Sequence, residues 1–169
     1  MRIVLVGTLI LLSGCTASYQ YYTTQKNGSA FSSNYGVCIS IPPETKQQAG
    51  IRTAVALKKE FIKYTSNVKI LENCVGEPCW DLISDREYHY FAYTEILLWQ
   101  ENYTEWSGIP DKIEIRLSVF DTSTKQQLSS VTFHAKSKRF TFGGDHPEDL
   151  LEVPIQRYVR SLYLNKKLP

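Results

Sequence analysis

Residues 112–139 alternate. In KIEIRLSVFD (112–121), Ile113, Ile115, Leu117 and Val119 fall on one side of an extended chain, and QLSSVTFHAKSKR (127–139) runs back after Asp-Thr-Ser-Thr-Lys. Period-two alternation marks a strand with one buried and one solvated face, and two such runs around a short turn read as an antiparallel hairpin. A chain with this feature must build a sheet and lay something apolar on one side of it.

The rest of the sequence supplies both. VCISIP (37–42) and NVKILE (67–72) are short β-branched runs, and YHYFAYTEILLWQE (88–101) is a longer aromatic one. Between the first two, residues 46–65 place Ile51, Ala54, Val55, Leu57, Phe61 and Ile62 along an approximate helical stripe, with Arg52, Lys58, Lys59 and Lys63 mostly opposite. CWDLISDRE (79–87) reads as a short helix. A last helix over 147–163 turns Leu151, Ile155, Tyr158, Val159 and Leu162 to one side. The order predicts an α+β fold: a mostly antiparallel sheet with two main helices packed on it. No internal repeat is visible.

The N-terminus sets the address. Met1-Arg2 is followed by an uncharged apolar run of about ten residues, half of what a membrane-spanning helix requires, so residues 1–14 read as a signal peptide. The run closes on Leu12-Ser13-Gly14-Cys15, which resembles the lipobox of bacterial lipoproteins. That resemblance implies lipidation at Cys15, and several acyl chains anchor a protein stably where one does not. Thr16 is not the Asp that holds such proteins at the inner membrane, which favours the outer membrane with the domain facing the periplasm. Residues 15–35, polar and rich in Ser, Thr and Tyr, read as the lipidated N-terminus and a tether, with an ordered strand around Ser18 to Thr23 as the alternative; residues 36–169 form one domain. With 19 basic and 17 acidic residues and no basic run beyond the scattered KSKR of 136–139, no nucleic-acid surface is expected.

Three cysteines besides Cys15 remain, in a compartment that permits disulfides. Cys74 and Cys79 enclose Gly and Pro, a turn that could bring them together. Cys38 sits in an apolar strand as a small buried hydrophobe. The spacings lack the second pair or the His that a zinc site requires.

TFGGDHPEDLL (141–151) has the look of an active site, yet most of it reads as the start of a helix. Asp145 as N-cap with Glu148 three residues on forms a capping box, Pro147 lies in the first turn, and Asp149 suits the positive end of the helix dipole. The catalytic alternative makes Asp145 and His146 an acid–base pair, but no G-x-S-x-G nucleophile motif accompanies them. His89 and His134 lie on expected strands, where Glu95 or Glu114 could join them in a metal site; the bland reading, partly exposed side chains, is preferred. No metal or cofactor is expected.

The segment 97–113 interleaves Trp99, Tyr103 and Trp106 with Glu101, Glu105 and Asp111. Aromatic faces among carboxylates suit a protein interface or a glycan platform, and Trp99, Tyr103, Glu105 and Trp106 are the candidate binding loop. The alternative fills the core with one Trp and covers it with the other. A glycosidase pair at Glu101 and Glu105 would need a cleft between them.

ILLWQENYTEWSGIPDKIEIRLSVFD and FGGDHPEDLLEVPIQRYVRSLY resemble the small bacterial lipoproteins grouped as domain of unknown function 4823, over roughly residues 36–163. The resemblance brings no activity and no catalytic residues. The order of elements is also similar to the N-terminal-like domains of TolB, which implies a protein-binding or assembly role. The function expected is a non-catalytic periplasmic binding or envelope-assembly module, anchored at Cys15, with an envelope protein as partner and a glycan as the other ligand class. The alternatives are a cell-wall hydrolase using Glu101, Glu105 or Asp145-His146, and a phage- or plasmid-encoded lipoprotein that blocks a receptor.

Overall fold

The computed structural model describes residues 17–26, 30–43, 48–75, 79–83, 87–102, 108–138 and 146–164. Six strands form a single sheet: β1 (Ser18–Lys26), β2 (Gly36–Ile41), β3 (Val68–Val75), β4 (Tyr88–Gln100), β5 (Lys112–Asp121) and β6 (Gln127–Lys136). Their order across the sheet is β1-β6-β5-β4-β2-β3. Two helices, α1 (Ala49–Phe61) and α2 (Glu152–Leu164), lie on one side, and short 3-10 turns occupy Trp80–Leu82 and Pro147–Leu150.

The α+β class stands, but the sheet is mixed. β1, β6, β5 and β4 pair antiparallel, whereas β2 pairs parallel with both β3 and β4. The reason is the crossover: α1 returns the chain to its starting end, so β3 must run with β2 rather than against it.

The hairpin follows its alternation. Ile113, Ile115, Leu117 and Val119 point under the helices and meet Val131, Phe133 and Ala135 of β6 in the main core. Asp121 makes the turn: its Oδ1 accepts from the amides of Ser123 and Thr124 at 3.0 and 2.8 Å and from both hydroxyls at 2.6 and 3.1 Å. Burial alone would raise the Asp121 pKa, yet those bonds and neighbouring His89 outweigh it and hold the carboxyl below its ordinary value.

Both helices complete this core, α2 through Ile155, Tyr158, Val159 and Leu162, and α1 through Ala54, Leu57 and Phe61. The stripe expected on α1 is only half buried. Ile51, Val55 and Ile62 are 48, 52 and 53% exposed, because α1 turns Ala49, Thr53 and Leu57 to the sheet and leaves the neighbouring side to solvent. Close approach explains the small residues: a Cβ on Gly50 would lie 2.3 Å from the Pro42 carbonyl oxygen, so the helix start fits over the end of β2 only with glycine there.

A second, smaller cluster lies apart from the main core. Cys38, Leu71, Cys74, Tyr88 and Phe91 are buried there, with Trp80 and Phe120 packed against them. Cys74 and Cys79 are joined in a disulfide with Cα atoms 5.5 Å apart, which carries the chain from β3 to the Trp80 turn. That turn, Trp80–Leu82, is all that the described residues contain of the short helix expected over 79–87. Trp80 stands edge-on to Phe91 and Phe120, with ring centroids 5.2 and 5.7 Å away.

The segment 15–35 is not simply a tether. Nine of its residues form β1, an edge strand antiparallel to β6, which turns Tyr19 and Tyr21 toward the main core. Farther on, Phe31 stacks on Tyr90 with centroids 4.1 Å apart, and the Ser32 amide donates to the Tyr90 hydroxyl. Strand pairing and a filled aromatic slot hold this polar segment to the domain.

Candidate functional site

β4 and β6 end where β1 and β5 begin. Gln100 pairs with Lys112, Lys112 with Lys136, and Lys136 with Ser18, so four strands present one edge row. Both segments singled out in the sequence, 97–113 and 143–148, leave from this end of the sheet.

Trp99 does not belong to an exposed platform. It is 8% exposed, pairs with Ile113 and packs in the main core. A register shift between Ile96 and Leu98 inserts one extra residue, which lets Ile96 and Trp99 both face inward and leaves Leu97 and Leu98 exposed. Tyr103, Glu105 and Trp106 lie outside the described residues, as do Cys15 and Asp145.

Asp111 is likewise no ligand-facing carboxylate. It is fully buried, and its Oδ1 accepts from the Asn102 amide at 2.5 Å. Asn102 Nδ2 donates to the Pro110 carbonyl, the Asp111 amide donates to Ser137 Oγ, and the Ser137 amide donates to the Asp111 carbonyl. The base of the β4–β5 connection is thus clasped and tied to the end of β6. The placement of Asp before a strand, after Gly-Ile-Pro, was the only sequence signal for this role.

The cap falls one residue later than expected. His146, not Asp145, occupies the N-cap position, and its amide donates to Asp149 Oδ2 at 3.0 Å in a reciprocal capping box. Glu148 instead pairs with Arg52 of α1. The reason is that Pro147–Leu150 is a 3-10 turn; α2 proper starts at Glu152, with Pro154 in its first turn.

Each histidine meets one carboxylate. His146 Nδ1 lies 3.3 Å from Glu101 Oε1, His134 Nδ1 lies 3.4 Å from Glu114 Oε2, and His89 Nε2 lies 3.4 Å from Asp121 Oδ2. His89 therefore takes neither carboxylate expected for it. Among the described residues no group of three His, Cys, Asp or Glu side chains converges as a metal would require. The His146–Glu101 contact does join the two candidate segments, but both side chains are about half exposed on an open surface. A His–carboxylate pair can orient an imidazole; general-base chemistry also needs a substrate held at the other ring nitrogen. A hollow at this end, about 330 Å³, is lined by Ser18, Leu98, Lys112, His134 and Lys136 among others, and its described lining includes neither His146 nor Glu101.

Among the described residues, no thiol is poised for reaction either. Cys38 is fully buried and its Sγ sits 3.5 Å from the Tyr90 carbonyl oxygen; burial pushes its pKa up to about 12. Tyr158 and Tyr163, on the buried side of α2, are also pushed up by burial.

The family model described as "Domain of unknown function (DUF4823)" matches residues 36–162, from the first residue of β2 to the last turn of α2. The chain belongs to the DUF4823 family. Strand β1 precedes the matched residues, while the DUF4823 region contains the small cluster, the disulfide and all of the buried main core but Tyr163. No curated protein matches the sequence. Among solved structures, PelC from Paraburkholderia phytofirmans, crystallised as a dodecamer, aligns with TM-score 0.67 at 10% identity, covering 88% of this chain and 98% of PelC. XCC0632 from Xanthomonas campestris, of the DUF330 family, aligns with TM-score 0.51 at 10% identity over 82% of this chain and 90% of its own. TolB from Acinetobacter baumannii aligns with TM-score 0.33 at 8% identity over 86% of this chain and 29% of its own. At such identities the first two likenesses speak to the fold, and the third is too low to carry an argument. Among the described residues, no helix is long and apolar enough to cross a membrane.

Proposed function

We propose that this DUF4823 protein is a bacterial lipoprotein, anchored through Cys15 to the outer membrane, whose periplasmic domain is a non-catalytic assembly module. The observation that carries the reading is the exposed apolar stripe of α1. Ile51 and Val55 lie one turn apart on the solvent side of the helix, and Ile62 at its C-cap continues that side past Lys58, each of the three apolar side chains about half exposed. Large aliphatic side chains left open to solvent along a helix suit a protein contact. Two further facts support it: PelC, of the same fold, was crystallised as a dodecamer, and Leu12-Ser13-Gly14-Cys15 has the form of a lipidation site.

The mechanism is tethering. A lipid at Cys15 confines the domain to a thin layer beside the membrane, and confinement raises its effective concentration for a partner in the same layer.

The test is in-cell photocrosslinking with Cys15 intact, from Val55 in one strain and from Trp106 in another. A discrete adduct from Val55 is expected; its mass separates a second copy of the chain from a different envelope protein. Unshifted monomer from both positions, with the protein folded and membrane-bound, would overturn the assembly reading. An adduct from Trp106 alone would move the contact from α1 to the 97–113 segment.

A further inference from the structure

The two outer strands end the sheet differently. At one edge lies β3, and its outer side is guarded: Lys69 and Glu72 are exposed, and Glu72, Asn73 and Cys74 intervene between the successive pairs Leu71–Ser40 and Val75–Ile41, which breaks the straight run of backbone groups. Charge and bulges on an edge strand keep another strand from adding to it. At the other edge, β1 lacks both guards over most of its length. Ser18 to Thr23 pair one for one with Lys136 to Val131 of β6, and residues 18–25 include no charged residue, proline or glycine. Among the described residues no strand lies on its outer side.

The side chains of β1 indicate which strand this open edge takes. Tyr19 and Tyr21 pack toward the main core, whereas Tyr22, in the middle of the strand, is 54% exposed on the face without helices, its ring edge-on to His134 at 5.3 Å. Outward N–H and C=O groups of an edge strand are matched by another extended backbone. Two copies of one edge strand, antiparallel about a two-fold axis normal to the sheet, match each other reciprocally. Overlap of the whole of Ser18–Lys26 with its copy puts Tyr22 opposite Tyr22 and Ser18 opposite Lys26. No like charges meet in that register, and cross-strand aromatic pairs stabilise antiparallel strands.

We infer that β1 is a self-association edge, through which two copies of this chain join their sheets into one across the Tyr22 pair. This surface is separate from the α1 stripe and does not rest on it. Where Cys15 is lipidated, as proposed above, the symmetry also suits the anchors. Rotation about the sheet normal leaves both Ser18 residues at one height, so both chains reach one membrane with the joined sheet lying parallel to it.

The soluble chain from residue 15, with Cys15→Ser, is followed by sedimentation velocity across a concentration series. A reversible dimer is expected, weak because strand pairing covers less area than a standard interface. Tyr22→Lys sets like charges across the two-fold and should weaken it about ten-fold, while Tyr22→Phe keeps the aromatic pair and should leave it within a few-fold. Tyr22→Cys should give a disulfide-linked dimer on mild oxidation, and Glu72→Cys on the guarded edge should not. Circular dichroism checks that each variant stays folded. Monomer at every concentration, with no Tyr22→Cys dimer, would overturn the self-association edge. So would a dimer indifferent to Tyr22→Lys; if Val55→Lys then dissolved it, the contact would be the α1 stripe, and the assembly reading would stand while the β1 edge fell. A photocrosslinker at Tyr22 in cells addresses the other occupant. An adduct whose mass is not twice that of the chain would give the edge to a strand of another protein and overturn the self-pairing.

Discussion

The main core and the small cluster bury their side chains by different means. In the main core, two amphipathic helices lay Leu57, Phe61, Ile155, Tyr158 and Leu162 onto alternating residues of the strands. In the small cluster, the described residues packed over Cys38, Leu71, Cys74 and Phe91 are those of the disulfide-closed turn, Cys79, Trp80 and Ile83, with Tyr93 and Phe120 of the strands. Helical cover is redundant, since removing one side chain leaves the rest of the helix seated. The small cluster has no such reserve. Its integrity depends on the covalent link that brings the turn back over the sheet, so it should open by itself while the helical core stays folded.

That contrast can be broken by substitution. The largest effect is expected from Phe133→Ala, which empties a fully buried site in the main core and should cost about 3–5 kcal/mol in urea unfolding. Gly50→Ala should cost about 1–3 kcal/mol, since the added Cβ meets the Pro42 carbonyl and α1 must back away from β2. Cys79→Ser should cost about 2 kcal/mol on the chain-entropy account of a short loop. Its signature matters more than its size: amide exchange should quicken in β3 and at Trp80 while α2 keeps its protection. Uniform quickening would show that the two clusters melt as one unit. The smallest effect belongs to Asp121. A carboxyl held below its ordinary pKa contributes stability that is fully present above the ordinary value and lost as pH falls through the depressed one. Asp121→Asn should therefore lower the melting temperature modestly at neutral pH and flatten the acid limb, the two profiles converging once pH has fallen through the depressed value.

The parts legible in the sequence were those whose side chains alternate or recur under a single covering layer. Strand β5 coincides with the alternation of 112–121, and the Leu151–Leu162 side of α2 is buried as its period demands. Pairing direction was not legible, because nothing within β2 or β4 says which neighbour it will meet. β1 read first as a polar linker and only second as a strand around Ser18 to Thr23, because its inward residues are tyrosines and its outward ones Ser18, Gln20 and Tyr22. Trp99 misled for the opposite reason. Its run of Ile-Leu-Leu-Trp breaks alternation at the bulge, and without the register there was no telling which residues faced in. In the candidate site, the carboxylates were visible but their employment was not. Asp111 spends its oxygen on a neighbouring amide, and Glu101 on a histidine far along the chain.

The pairing of β1 with β6 also sets an order of events. Synthesis delivers Ser18 early, yet its partner Lys136 comes far later in the chain. Until β6 has been made, β1 has nothing to pair with, and the closure of so long a loop makes this a late contact of the sheet to form. Until then the inward tyrosines of β1 have no strand to cover them, and the sheet is complete only when β1 meets β6.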